Sequence, residues 1–497
     1  MFWRWCGLAG AVLLAAAAAL AGAHPGGDPG AGFRTGGFAA VPASFSVGLV
    51  CWLAGGVVLT VAWWKLPTPN LRTVLLTGAL WALPILFAPP LGSRDVYAYA
   101  CQGWLWNHGQ DPYAVGVQAG GCPWFEAVPQ LWWQTPTPYG PLAIALSGLA
   151  AAAGNLVTGI IVLRLLAVAS VLVLAWQAPK LAVHCGLSPA SAAWLGVVTP
   201  LILVHGLSAA HNDLLVAALV VTALTIAATN RSAALAAGRR HEEAAVSGKS
   251  RFWGAAKPRI PRSRDGHGAA QGARAGLWGR AVVVGVVLAG AVAVKVTAIA
   301  VVPFVFILLG RRWWAAAAGV VGGFAGLSLA TGLDLGWVQA LRGTGELAQW
   351  SSVPTAVGMT IGYLLRPFGF APEGPIAVAR VVGVAALAVL GISLLFWAWR
   401  HRTGTQKIVV ASGLALAATA ILGPVFYPWY AITPLAVLAA SATDKRRWLA
   451  AATVICTFLT LPNGLGVPVL TKAVGAFAVT AALIVLVARR RAPARAA

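Results

Sequence analysis

Twelve carboxylates serve 497 residues, so each one that stands among other polar groups is a candidate for chemistry. The densest such region runs Gly92-Ser93-Arg94-Asp95-Val96-Tyr97-Ala98-Tyr99, then Asp111-Pro112-Tyr113, then Trp132-Trp133 and Thr137-Pro138-Tyr139-Gly140-Pro141. Ser93 can cap a helix, and Val96, Ala100 and Trp104 recur every four residues. This predicts a short amphipathic helix lying on a membrane, with Asp95 in its first turn. As a structural residue, Asp95 would complement the helix dipole and pair with Arg94. As a chemical one, it is a carboxylate at the mouth of a span. Asp111-Pro112 has turn chemistry, and Trp132 and Trp133 read as interfacial aromatics.

A second cluster is His211-Asn212-Asp213. Asn or Asp there is a good helix N-cap. The same geometry could hold a phosphate on the helix N-terminus with His and Asn donors, leaving Asp213 for sugar hydroxyls or a divalent ion. Lys295 interrupts an apolar run. A lysine at mid-membrane costs about 2.5–3.5 kcal/mol, which an anionic partner would offset. Arg164 and Arg380 also lie within apolar runs and should face the bundle interior. Phe426-Tyr427-Pro428-Trp429-Tyr430 reads as boundary aromatics.

The elements that must position these residues are membrane helices. The chain is 59% hydrophobic and 9% charged, with mean hydropathy +0.80. Soluble domains carry about 25% charged residues, so a cytosolic enzyme is excluded. The apolar blocks have the length of bilayer-crossing helices, and long uncharged runs are unlike the alternating strands of a membrane barrel. The net charge of +23 sits in short patches between apolar runs, which is the positive-inside pattern and argues against nucleic acid as partner. The six cysteines show no zinc-like spacing. Cys101 and Cys122 share one polar loop, and a disulfide between them is left open.

The expected fold is an all-α polytopic membrane bundle of about 12–14 helices, with fourteen crossings counted, give or take two, and both termini cytoplasmic. Residues 1–90 hold the first three spans, the first of them read as a retained helix rather than a cleaved signal peptide. Residues 91–155 form an outer loop with an amphipathic and a half-embedded helix, and further spans fill 156–229. Residues 230–280 read as a basic, disordered cytoplasmic loop, since nothing in them can be buried. Residues 281–488 hold the remaining spans with an outer loop at 332–374, and 489–497 form a basic cytoplasmic tail. As one helix, 281–309 would be about 44 Å long against a core of about 30 Å. Dividing it at Lys295 solves the length and returns the later basic groups to the cytoplasm. Eight acids then face outside: Asp28, Asp95, Asp111, Glu126, Asp213, Asp334, Glu346 and Glu373. Acids contribute little to orientation, so their gathering on one face suggests use.

The order and spacing of these motifs resemble one group, the actinobacterial polyprenol-phosphomannose-dependent α-1,6-mannosyltransferases, which are GT-C glycosyltransferases. The match runs through Ser93–Tyr99, Gly109–Tyr113, Thr137–Pro141, His211-Asn212-Asp213 and Lys295, over about 45–470. The resemblance implies a plasma-membrane enzyme of cell-envelope synthesis that works on the outer face. It would take mannose from polyprenyl-phosphate-mannose to a lipid-anchored α-1,6-mannan, with inversion. It assigns Asp95 as general base. Lys295, with His211 or Arg94, would stabilise the leaving phosphate, and Asn212 and Asp213 would belong to the same substrate site. Tyr97, Asp111, Tyr113 and Tyr139 would be sugar contacts. No cofactor is required, and a divalent cation is left open. Two alternatives stand beside it: a GT-C transferase of another sugar or linkage, and a flippase or transporter. The second should carry an internal repeat and midplane ionisable groups. The halves show no repeat, and the distinctive acids stand at span mouths.

Overall fold

The computed structural model describes residues 1–68, 70–250, 265–344, 347–442 and 446–491. Of 238–250, 265–274, 342–344 and 490–491 it describes the backbone alone. Glu346, the segment 251–264 and the tail from 492 therefore lie outside the described residues. Within them the chain is helical, with only isolated bridges (His24 to Gly27, Thr460 to Gly466) and no strand. Nine helices among the described residues are long and apolar enough to cross a membrane. Shorter apolar helices cover Leu71–Leu86, Pro141–Ala151 and Pro428–Ala439. The crossing expected at 190–206 is made of two pieces, a helix at Pro189–Gly196 and a π-helical stretch at Ile202–Ser208. That expected at 448–461 is a helix of 12 residues, Arg446–Thr457.

The chain does break at Lys295. The helix Asp265–Val294 ends there, Lys295 is extended (φ −153°, ψ 128°), and a 3-10 turn at Val296–Val301 leads into the helix Val302–Leu309. Another helix, Trp313–Thr331, follows. Its direction is fixed by its contacts with Asp265–Val294. Trp314 meets Trp278 with ring centroids 4.9 Å apart, Gly319 abuts Val282, and Gly323 abuts Ala289. The two sequences rise together, so these helices are parallel, and 296–309 must run back between their ends. Glycine makes the approach close: a Cβ on Gly285 would lie 2.0 Å from the Ala316 carbonyl oxygen.

Three regions depart from the sequence expectation. The loop 230–280 was expected to be disordered, yet one helix runs on to Ser250 and the next begins at Asp265. The alanine-rich flank after Asn230 is a good helix former and extends a span whose nucleation is already complete, while the flank 265–280 carries five glycines and is helical in continuation of the span it joins. The outer loop 332–374 holds a helix at Val353–Leu365, capped by the Ser352 hydroxyl and packed against Glu373–Arg400 and Lys472–Arg491. At 13 residues it is too short to read as a span. Finally, the helix Asp95–Asn107 is not a surface helix. Every residue from Asp95 to Gly103 is buried. A Cβ at Gly103 would meet the Ser147 backbone at 2.1 Å, so this helix packs directly on Pro141–Ala151. Its other side lies under the loop after it, which a Cys101–Cys122 disulfide fastens down.

The parallel pairing is testable. Cysteines at Ala289 and Gly323, with Cys6, Cys51, Cys185 and Cys456 replaced by alanine, should form a disulfide on oxidation. The Cβ positions are 3.0 Å apart, close to disulfide geometry after slight relaxation. An Ala289→Cys/Ala315→Cys pair, displaced by about 12 Å along the helix, should stay reduced. Intact mass and maleimide labelling distinguish the two.

Candidate active site

A cavity of about 840 Å³ opens beside the first residue of the Asp95 helix. Three chain segments meet to place that residue. The Ala23 N–H donates to the Pro90 carbonyl at 2.8 Å, and the Gly92 N–H donates to the Pro462 carbonyl at 2.8 Å. Gly464, at φ +93°, sits so close to Ser93 that a Cβ there would come within 2.9 Å of it. The Ser93 hydroxyl accepts the Asp95 N–H at 3.1 Å. Arg94 does not pair with Asp95. Its guanidinium donates to the carbonyls of Ala127 (2.9 Å) and Gly27 (3.1 Å), stitching the site's rim together.

Asp95 is 8% exposed and lines the cavity. The Trp132 indole N–H donates to its Oδ1 at 3.3 Å. Its Oδ2 is 3.9 Å from His211 Nδ1, too long for a hydrogen bond. Asp95 lies outside the candidate spans, and burial raises its pKa to about 6, partly offset by the Trp132 hydrogen bond and the charge of Lys295. A carboxylate poised there can accept and return protons near neutrality. Behind it, the Tyr99 hydroxyl is 3.1 Å from His211 Nδ1 and 3.4 Å from the Tyr139 hydroxyl. Asp95, Tyr99, Gln102, Trp132, Tyr139 and Tyr430 are among the walls of a narrow side pocket of about 40 Å³. His211 stacks on Trp429, centroids 3.7 Å apart, and Trp429 stacks on Tyr427.

Lys295 and Asp213 form the next layer. The ammonium sits 2.8 Å from both Asp213 oxygens and 3.7 Å from the Tyr430 ring centroid. The anionic partner expected of Lys295 is therefore Asp213 itself. With both oxygens on an ammonium, Asp213 does not fit the divalent-ion role left open from sequence. Among the described residues no three His, Cys, Asp or Glu side chains gather in a metal-binding group. Buried polar atoms around this layer that lack a hydrogen-bond partner among the described residues include His211 Nε2, Asn212 Nδ2, Gln102 Oε1 and both ring nitrogens of His205. Such orphans cost about 1–3 kcal/mol each and are the kind of debt a bound polar ligand removes.

The candidates named from sequence thus separate into two sets. Asp95 and Arg94 line the cavity, Tyr139 the side pocket, and His211, Asn212, Asp213 and Lys295 the layer behind. Tyr97 instead donates its hydroxyl to the Ala23 carbonyl at 2.6 Å. Asp111 closes a turn by accepting the Tyr113 N–H at 2.8 Å. Tyr113 packs with Ile144, Leu333 and Trp337 away from the cavity. Sequence reasoning missed Trp132, Trp133, Tyr427 and Trp429 as cavity walls, because boundary aromatics have the same composition. A usable signal was their clustering on the same ends of the spans as the acids.

The buried pair makes a prediction of its own. Asp213→Leu or Lys295→Met alone should cost about 3–5 kcal/mol, since each strands a buried charge. The double variant should unfold at a higher temperature than either single one in detergent.

Comparison with known proteins agrees with this architecture. Residues 4–311 match the family described as alpha-(1->6)-mannopyranosyltransferase, N-terminal domain, and residues 354–489 match the MptB C-terminal domain. An alpha-(1->6)-mannopyranosyltransferase of Mycobacterium tuberculosis is 31% identical, over 88% of this chain and 78% of its own. Alpha-(1->6)-mannopyranosyltransferase B of Corynebacterium glutamicum is 28% identical, over 79% of this chain and 63% of its own. Among solved structures, the Archaeoglobus fulgidus oligosaccharyltransferase aligns over 84% of this chain at 15% identity. The chain spans about half of that protein's length, and the TM-score of 0.33 carries no argument. The chain belongs to the alpha-(1->6)-mannopyranosyltransferase family and is a multi-pass membrane mannosyltransferase.

Proposed function

We propose that the protein transfers mannose from polyprenyl-phosphate-mannose to the 6-hydroxyl of an α-1,6-mannan acceptor, on the outer face of the plasma membrane, with Asp95 as general base. The observation that carries this reading is a buried carboxylate, its pKa raised to about 6, on the wall of the 840 Å³ cavity. The reading places the cavity outside because the basic groups Lys65/Arg72, Arg311/Arg312 and Arg400/Arg402 stand at the opposite ends of the spans in the sequence.

In this reading Asp95 accepts the proton of the acceptor 6-hydroxyl as its oxygen attacks the anomeric carbon. The C1–oxygen bond to phosphate breaks and its electron pair stays on the phosphate. A phosphate leaves without protonation, so one base and no general acid suffices. Attack from the face opposite the leaving group turns a β-mannosyl phosphate into an α-mannoside. The stacked Tyr427 and Trp429, both on the cavity wall and backed by His211, supply the flat apolar faces on which sugar rings pack. The orphaned Gln102 carbonyl, on the side-pocket wall, supplies an acceptor for a hydroxyl.

Three experiments test the assignment in isolated membranes, with polyprenyl-phosphate-mannose and a short α-1,6-mannoside. Asp95→Asn should lower kcat by about a hundred- to ten-thousand-fold at matched expression. Surviving activity would return Asp95 to a structural role. Wild-type activity should also fall as pH drops through about 6, because only the ionised carboxylate accepts a proton. The Trp132 indole stabilises that ionised form, so Trp132→Phe should raise the Asp95 pKa. The acid limb of its pH profile should move upward by about half to one unit. A uniform loss at all pH values would reduce Trp132 to packing.

A further inference from the structure

A donor of this kind brings a negative charge that two of the cations named from sequence cannot readily meet. Lys295 is already held by both oxygens of Asp213 and is not on the cavity wall. Arg94 reaches the wall but is committed to two backbone carbonyls, with Asp28 nearby. Two other cations line the same cavity, Arg34 and Lys472. Neither makes an ion pair or side-chain hydrogen bond with any described residue, and both are exposed.

Their placement is informative. Lys472 is the first residue of the candidate span Lys472–Arg489, so its ammonium stands where a membrane helix begins. Only 11% of that span is buried, which makes it a lipid-facing helix at the cavity's edge. Beside it the cavity wall is apolar, formed by Leu459, Leu465, Pro468 and Val469. The cavity therefore carries Asp95 on its wall and, where the final span begins, an apolar border that includes the Lys472 ammonium; Arg34 lines the same cavity from the N-terminal segment, as do the carboxylates of Asp28 and Glu126. A phosphate carried on a prenyl chain matches that polarity: its tail stays in lipid, its charge rests at headgroup level, and its sugar points inward.

We propose that Arg34 and Lys472 form the phosphate subsite for the lipid-linked donor, in place of Lys295. This rests on the reading above that the donor is a prenyl-linked phosphate. As the C1–oxygen bond breaks, the phosphate gains one unit of charge, and two unpaired cations stabilise that increase more than the ground state. Lys295 then serves to hold the break in its helix and to set the field around Asp95.

The test is a binding measurement on the full-length protein in phosphatidylcholine nanodiscs, using undecaprenyl phosphate as probe and tryptophan fluorescence as signal. Trp132, Trp133 and Trp429 line the cavity and report occupancy. Arg34→Gln and Lys472→Gln should each weaken binding about tenfold, and the double variant about a hundredfold. Lys472→Arg should restore it to within about threefold. Both side chains are exposed, so the variants should elute and melt like wild type. Wild-type affinity in both single variants would overturn the subsite. So would competition by inorganic phosphate or phosphatidylglycerol as effective as that by the prenyl phosphate, which would mark a general anion surface. If wild type fails to bind undecaprenyl phosphate, or binds the uncharged prenol equally well, the donor reading fails and the subsite with it.

Discussion

The Lys295–Asp213 pair is the interaction on which the rest of the molecule depends. Each partner stands where a helix breaks: Asp213 just after the π-helical segment Ile202–Ser208, Lys295 between Val294 and the 3-10 turn that follows. A broken helix exposes backbone polar groups, and lipid offers them no partner. One buried charge at such a place is a liability; two of opposite sign, bonded through both carboxylate oxygens, hold two breaks at one level. Thr433 adds a third by donating to the Asp213 carbonyl at 3.2 Å, just after the 3-10 turn Pro428–Ala431. That turn carries Trp429 and Tyr430, which face His211 and Lys295. The aromatic floor behind Asp95 is thus fixed by the groups that keep the bundle closed.

Arg164 applies the same principle elsewhere. From within the span Leu156–His184 it donates to the carbonyls of Leu86, Ala88 and Ser208. Those oxygens end the helix Leu71–Leu86 and the π-helical segment, and an arginine fork can satisfy several at once. Charges inside this membrane protein therefore mark backbone interruptions first. They differ in whether they reach the cavity wall: Asp95 does, while Lys295 and Arg164 do not.

Much of this was legible in sequence for a physical reason. A residue that is costly in lipid must have a cause, so Asp95, His211, Asp213 and Lys295 could be singled out, and the length of 281–309 forced a break at Lys295. What stayed hidden were roles set by three-dimensional packing. Trp132 looks like any interfacial tryptophan until the disulfide-fastened loop brings its indole to the Asp95 carboxylate. The burial of the Asp95 helix depends on Gly103 meeting Ser147, a contact that no periodicity encodes. The pairing of Lys295 with Asp213 joins positions 82 apart in the chain, and local pattern reports nothing of such distances. Tyr97 and Asp111 hold a backbone carbonyl and a turn, roles that the same residue types in a motif do not distinguish from sugar contacts.

The position of the cavity follows from these constraints taken together. Its walls come from the N-terminal segment near Asp28, the loop after Asp95, the region around Gln349, the Tyr427–Trp429 turn and the final loop near Asn463. Asn463 donates to Asp28 at 2.9 Å, so segments 435 residues apart in the chain meet beside the site. A carboxylate with a raised pKa requires low-dielectric surroundings, and here that burial is completed by segments more than 400 residues apart. The proposed lipid-linked donor would also require an opening toward the membrane. The structure meets both demands by burying Asp95 beneath aromatics and polar loops at one end and bordering the other with the sparsely packed final helix. In the proposed reaction, proton transfer at Asp95 and entry of a prenyl-linked donor would thereby use different parts of one cavity.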